Sequence, residues 1–259
     1  MLSSPSDLIN RAARWIGASK RLAVLTGAGV SKESGIPTFR DALDGLWARY
    51  DPAELASPDA FARNPQLVWD WYAHRRETAE SCRPNPAHEA LARLENLLPQ
   101  VVVITQNVDG FHQQAGSSDV IELHGNLHRY KCSRDCQGER TPVPVSDYLQ
   151  YTSTRSVPVC PNCGGLARPD IVWFGEMLPP AAIERAFAVA QSCDVMLVIG
   201  TSGMVQPAAR LPQIAHLQNA VLIDVNPQPD ALQSVTDVFL QGRAGDILPK
   251  VLAAISQVV

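Results

Sequence analysis

The stretch LAVLTGAGVSKESGIPTFR, residues 22–40, decides the fold. Its first five residues, Leu22–Thr26, form a short apolar run ended by glycine, which reads as a buried parallel strand. Gly27 and Gly29 then let the backbone turn tightly and approach a pyrophosphate. The usual third glycine, three residues after Gly29, is absent: Lys32 stands there, and the next glycine is Gly35. A redox Rossmann site also places an acidic residue about 20 residues further on, at the end of a second strand, to hold a ribose. Here that region is DALDGLWARYDPAEL, which has no strand pattern. Taken alone, the turn serves either a dinucleotide or packing, and its neighbours decide.

Outward from this turn, apolar runs recur at Val101–Thr105, 120–123, Val195–Ile199 and 220–225, with helical patterns such as AHEALARLENLL and AAIERAFAVAQSC between them. The alternation predicts an α/β fold, a Rossmann-like doubly wound parallel sheet covered by helices on both faces. The N-terminal segment reads as an amphipathic helix with Leu8, Ile9, Ala12, Ala13 and Ile16 inward. Two segments break the pattern. Residues 41–86, rich in Trp, Tyr, Arg and Pro, read as a helical insertion, and residues 129–168 carry paired cysteines and little core-forming sequence. This leaves 1–40, 87–128 and 169–259 for the Rossmann-like domain.

The chain has 259 residues, a net charge of −4 and 19% charged residues, so no basic surface points to nucleic acid. No apolar run reaches the roughly 20 residues of a membrane span, and no secretory leader is evident, so a cytoplasmic protein is expected. Four of the six cysteines fall in two close pairs, Cys132 with Cys136 and Cys160 with Cys163. Four thiolates at that spacing suit a closed, structural Zn²⁺ site, as against four unliganded core cysteines. Cys82 and Cys193 are left over and read as buried or inert.

Strand ends deliver the polar residues. VVVITQNVDGFH brings Gln106, Asn107 and Asp109 to the carboxyl edge of the sheet, where open α/β folds bind ligands. Side-chain amides and a carboxylate there can grip ribose hydroxyls or a carboxamide, or simply shape a turn. VIELHGN places His124 at the next strand end, as a general base or as a structural histidine. VMLVIGTS offers Gly200, Thr201 and Ser202 for phosphate, and VLIDVNP offers Asn226 for ribose hydroxyls.

With these residues assembled, the chain resembles the sirtuins, NAD-dependent protein lysine deacylases. The likeness rests on GAGVSKESGIPTFR, TQNVDGFH, HGN, the four cysteines, RPDIVWFGE, GTS and DVNP, in family order from about residue 20 to 250. It implies that NAD is a co-substrate: nicotinamide is released and the acyl group of a lysine is transferred onto ADP-ribose. It further implies that Gly27, Ala28 and Gly29 cradle phosphate, and that Thr38, Phe39 and Arg40 lie on the loop that closes over NAD. Gln106, Asn107 and Asp109 would form the ribose and nicotinamide pocket, with Asp109 on the carboxamide. His124 would be the general base, with Asn107 beside it in the catalytic pair, while Gly200, Thr201, Ser202, Asn226 and Ala244 would hold the adenosine half. The substrate peptide would add a strand between residues 172–176 (Val172, Trp173, Phe174, Gly175, Glu176) and 203–205 (Gly203 to Val205).

WYAHRRE carries the acyl preference. Tyr72 and Arg75 lie three apart on a predicted helix and so share a face, as solvated or packing residues or as a ligand pair. Tyr-x-x-Arg here resembles the class III sirtuins, whose pair binds the carboxylate of succinyl, malonyl or glutaryl lysine, and Ala42 matches the small residue that widens their acyl pocket. Two departures stand out: three residues separate Cys132 from Cys136 where two are commoner, and Asn126 ends HGN where Glu or Ser is commoner. Neither removes a group the chemistry needs. The expected protein is a monomeric transferase acting on acylated lysines of proteins, with no nucleic acid or membrane partner. The competing readings are a predominantly deacetylating enzyme, a redox dehydrogenase, which would reduce nicotinamide, and a non-catalytic reader of acyl-lysine or ADP-ribose, which would lack the base; protein ADP-ribosylation is a side activity open to the same chemistry.

Overall fold

The computed structural model describes residues 4–37, 50–138, 141–143 and 156–256. Helix α1, Pro5–Ala18, is started by a reciprocal cap: the Asp7 N–H donates to Ser4 Oγ at 3.2 Å and the Ser4 N–H to Asp7 Oδ2 at 3.1 Å. It buries Ala12, Ala13 and Ile16 on the sheet, with Leu8 and Ile9 packed at the margin.

Six parallel strands follow in the spatial order β3-β2-β1-β6-β7-β8: β1 Leu22–Thr26, β2 Val101–Thr105, β3 Val120–Glu122, β6 Val195–Ile199, β7 Val221–Asn226 and β8 Val238–Gln241. Every residue of β1, β2 and β6 is buried, as expected of strands covered on both faces. Because side chains alternate along a strand, the sheet makes two cores. Val24, Val103 and Leu197 face α1, α6 (Pro86–Leu94) and the C-terminal helix Ala244–Ile255. Leu25, Ile104 and Val198 face the helices Pro180–Ser192 and Arg210–Leu217. β1 and β6 are neighbours, in register from Leu22 with Val195 to Thr26 with Ile199. The order therefore reverses between them, and the carboxyl ends of these two strands open a crevice.

β4, Gly125–Cys132, and β5, Ala167–Ile171, form a separate antiparallel pair that runs across the predicted limits of the cysteine module. Arg129 ties this pair to the main sheet, with Nη1 2.6 Å from Glu122 Oε2 and Nε 3.2 Å from Asp170 Oδ2. Within the predicted insertion, α3 (Pro52–Leu55), α4 (Pro58–Arg63) and α5 (Pro65–Ser81) enclose a core of their own around Phe61, Trp71, Tyr72 and Trp173.

Candidate active site

The crevice is built by three glycines meeting backbone to backbone. The Gly29 N–H donates to the Gly200 carbonyl at 2.8 Å, and the Gly27 N–H to the Ile199 carbonyl at 3.0 Å. A Cβ on Gly29 would stand 2.7 Å from the Gly200 oxygen, and one on Gly200, at φ +58°, would stand 2.5 Å from the Val30 nitrogen. Only glycine permits this crossing. It brings the turn after β1, with exposed Ala28, beside buried Thr201 and half-buried Ser202 after β6. Such a backbone-lined cradle at the switch point suits a phosphate.

Side chains from neighbouring strand ends lock the turns together. Gln106 Nε2 donates to Thr201 Oγ1 at 3.1 Å, and Asn226 Nδ2 donates to the Thr201 carbonyl at 2.8 Å. Ala244 opens the C-terminal helix, and the next N–H, of Gly245, donates to Glu33 Oε1 at 3.1 Å.

Asn107 and Asp109 meet at Ser31, a residue within the first motif to which the sequence reading gave no role. Ser31 Oγ donates to Asp109 Oδ2 at 2.7 Å and accepts from Asn107 Nδ2 at 3.1 Å. Burial raises the Asp109 pKa above the carboxylate norm, opposed by the Phe111 N–H and the Ser31 hydroxyl. Behind Ser31 lie two fully buried histidines, His88 and His112, with ring centroids 4.9 Å apart. The Asn85 N–H faces His88 Nδ1 at 3.3 Å, which assigns the His88 proton to Nε2, 3.4 Å from Ser31 Oγ. Thr26 Oγ1 donates to Thr105 Oγ1 at 2.8 Å, so His112 Nε2, at 2.9 Å from Thr26 Oγ1, carries a proton too. Burial holds His88 down at about 4 and His112 at about 3, and both are neutral at physiological pH. Sequence reasoning missed this layer. Its one signal was the helix-start pattern Asn85-Pro86 with His88 at the third helical position.

His124 stands at the same edge, half-buried, with Nδ1 2.9 Å from the Gln106 carbonyl oxygen. A carbonyl only accepts, so the proton sits on Nδ1 and the lone pair on Nε2. The His124 carbonyl accepts from the Val172 N–H at 2.9 Å, which joins the histidine to the segment expected to bind peptide. In that segment the Trp173 N–H donates to Glu176 Oε2, the Phe174 N–H to the Ala56 carbonyl, and Gly175 adopts φ +87°. Phe174 and Val205 are exposed, while Trp173 is buried. Gly203, at φ +65°, packs against Leu232.

Tyr72 and Arg75 do share a face of α5. Burial pushes the Tyr72 phenol up to about 12, with Arg75 opposing, and burial lowers the Arg75 pKa, with Tyr72 opposing. The Tyr72 ring meets Trp71 at 4.7 Å and stacks on Trp173 at 6.2 Å. Thr38, Phe39, Arg40 and Ala42 lie outside the described residues.

The four cysteines converge. Cys132 Sγ is 3.5 Å from Cys163 Sγ, Cys136 Sγ is 3.6 Å from Cys160 Sγ, and all four sulfurs lie within 4.8 Å of one another. Zinc–sulfur bonds of about 2.3 Å in a tetrahedron require sulfurs about 3.8 Å apart, so the set fits Zn²⁺. The N–H groups of Arg134 and Gly165 point at Cys132 and Cys163 sulfurs at 3.3 and 3.4 Å, which suits thiolates. Of the two leftover cysteines, Cys193 is buried, its thiol pushed up to about 11 by burial, and Cys82 is half-buried.

The comparisons agree with this geometry. The model of the Sir2 family matches residues 27–207. An NAD-dependent protein deacylase 1 of Pseudomonas aeruginosa is 50% identical over 237 residues, covering 92% of this chain and 95% of the relative. An NAD-dependent protein deacylase of Pyrococcus abyssi is 47% identical, covering 95% and 97%. Among solved structures, a Sir2 homologue in complex with NAD superposes with a TM-score of 0.86 at 44% identity, covering 96% of this chain and 94% of that one. Sir2Af2 bound to a myristoylated histone peptide superposes with a TM-score of 0.77 at 34% identity, covering 97% and 98%. With the glycine crossing, the strand-end histidine and the cysteine cluster in their places, the chain belongs to the Sir2 family.

Proposed function

We infer that this chain is an NAD-dependent protein-lysine deacylase that prefers acyl groups ending in a carboxylate, succinyl, malonyl or glutaryl, and also removes acetyl. NAD bound in the crevice supplies a ribose carbon made electrophilic by departure of nicotinamide, and the acyl group leaves on ADP-ribose. His124 takes a proton from a ribose hydroxyl through Nε2, and its Nδ1–H bond to Gln106 fixes the ring in that tautomer. Asn107, Asp109 and Ser31, cross-linked, orient the nicotinamide end. The zinc held by the four cysteines serves the fold of its module.

One observation carries the acyl preference: Arg75, half-buried with its Nε out of reach of water, shares a face of α5 with buried Tyr72, and each acts on the other's charge. A partly desolvated guanidinium gains from a carboxylate, which it can bind through two charge-assisted hydrogen bonds while a protonated phenol donates a third. With Tyr72 near 12, that phenol keeps its proton at any physiological pH.

The test is Arg75→Met, assayed by mass spectrometry of products from NAD and matched succinylated and acetylated peptides. Succinyl kcat/KM should fall by about 2 kcal/mol or more, roughly 30-fold, with the acetyl value nearly kept. Equal loss of both would reduce Arg75 to a support of the fold. We further propose that the enzyme acts as a cytoplasmic monomer on proteins, without nucleic acid or membrane; light scattering giving a dimer mass would refute the monomer.

A further inference from the structure

Trp173 presents an unexplained donor beside the Tyr72 and Arg75 pair. The residue is 2% exposed, and its indole Nε1 has no hydrogen-bond partner among the described residues. Buried N–H groups without an acceptor are rare, and each asks for a reason. The ring is not free to turn and find one. The Arg168 guanidinium carbon lies 3.2 Å from its centroid, and that guanidinium is itself held by both Glu176 oxygens, at 2.5 and 3.0 Å, and by the Ile171 carbonyl at 2.8 Å. Glu176 also accepts from the Trp173 backbone N–H at 2.9 Å, so one carboxylate fixes main chain and side chain together. Phe61 packs against the ring at 5.3 Å, and Tyr72 stacks on it at 6.2 Å with 27° between the planes. No acceptor among the described residues, the Tyr72 hydroxyl included, meets hydrogen-bonding geometry with the indole N–H.

We propose that Trp173 is a specificity-determining residue whose indole N–H donates to the distal carboxylate of the acyl group, as a third donor alongside Tyr72 and Arg75. The inference rests on the carboxylate-acyl reading of that pair. A carboxylate has about four acceptor positions, enough for a guanidinium fork, a phenol and an indole. An acetyl group ends short and offers no distal acceptor, so the indole N–H stays unsatisfied when it binds. Arg168 and Glu176 act here as positioning residues: they hold the ring so that no rotational freedom is lost when the substrate arrives.

The experiment compares kcat/KM for succinyl-lysine and butyryl-lysine peptides, which match in chain length and differ in the carboxylate. Trp173→Phe keeps a planar ring and removes the N–H. The succinyl-to-butyryl ratio should fall about tenfold or more, as expected for a hydrogen bond to a charged group. An unchanged ratio, with both rates lowered together, would overturn the proposal and leave Trp173 as packing. Should the phenylalanine variant fail to fold, replacing Trp173 with benzothienylalanine, which keeps the bicyclic shape without the N–H, reads the same ratio. Independently, the Trp173 indole proton resonance should move downfield on binding succinyl peptide and not on binding butyryl peptide; equal shifts would count against it. If Arg75→Met collapses the ratio and Trp173→Phe does not, this inference alone fails. If neither moves it, the carboxylate reading fails as well.

Discussion

Nδ1 of His124 lies 2.9 Å from the carbonyl oxygen of Gln106. The residue that presents its side chain to Thr201 thus uses its main chain to set the tautomer of His124, the proposed base. His124→Ala should lower deacylation 10²- to 10⁴-fold, the usual contribution of a general base, while zinc content and melting temperature stay near wild type. Turnover within a few-fold of wild type would remove His124 from the mechanism.

The buried histidines make stability depend on pH. Unfolded histidines titrate near 6.5, whereas burial holds His88 near 4 and His112 near 3, so the unfolded chain binds protons first as pH falls. Their contribution is full above about 6.5 and is lost toward 4 and 3. Asp224, raised to about 7 by burial, works the other way, losing stability as pH rises from about 4 to 7. Asp109, also raised by burial, adds to Asp224, so the histidine share is read by difference: between pH 6.5 and 5 the wild type should lose more stability, or gain less, than a chain without the two histidines. Urea unfolding at both pH values measures it. A His88→Gln, His112→Gln double variant should shift the slope toward stabilisation on acidification, and an unaltered slope would refute the assignment.

Zinc should be present at one ion per chain. Cys160→Ser or exhaustive chelation should release it and unfold the β4–β5 module, because the four sulfurs replace a core that the module's own sequence does not provide. Since β4 begins directly after His124, activity should disappear in parallel. Elemental analysis without zinc, or a chelated protein of unchanged stability, would contradict this.

Gly200→Ala tests the crossing of the two turns. The added methyl would meet the Val30 nitrogen at 2.5 Å, in a left-handed conformation disfavoured for alanine. A loss of about 2 kcal/mol or more in stability and a KM for NAD raised at least tenfold are expected. Wild-type values for both, by thermal melts and initial rates, would show the turns to be pliable.

The sequence made three strands legible to the residue, Leu22–Thr26, Val101–Thr105 and Val195–Ile199, because central parallel strands are continuous apolar runs ended by turn residues. β8, Val238–Gln241, escaped, being four residues long and only half buried. The polar residues at strand ends were legible through their motifs. Ser31, His88 and His112 were not, because a single polar residue within a helix leaves the hydrophobic period intact, and its partners lie 57 to 86 residues away. The orphan N–H of Trp173 belongs to the same class: its environment is made by Tyr72 and Arg168, which no local pattern connects.

The strand order has a consequence for how the protein is made. β1 sits between β2 and β6, so the turn at Gly27 and Gly29 emerges from the ribosome early yet has no counterpart until Gly200 is synthesised. Asn226 comes later still. A chain broken off after the cysteines holds all four sulfurs but only the Gly27 and Gly29 side of the crossing. Premature termination between β5 and β6 would therefore leave a chain that carries all four cysteines but lacks Gly200, and the crossing of the two turns arises only as synthesis nears its end.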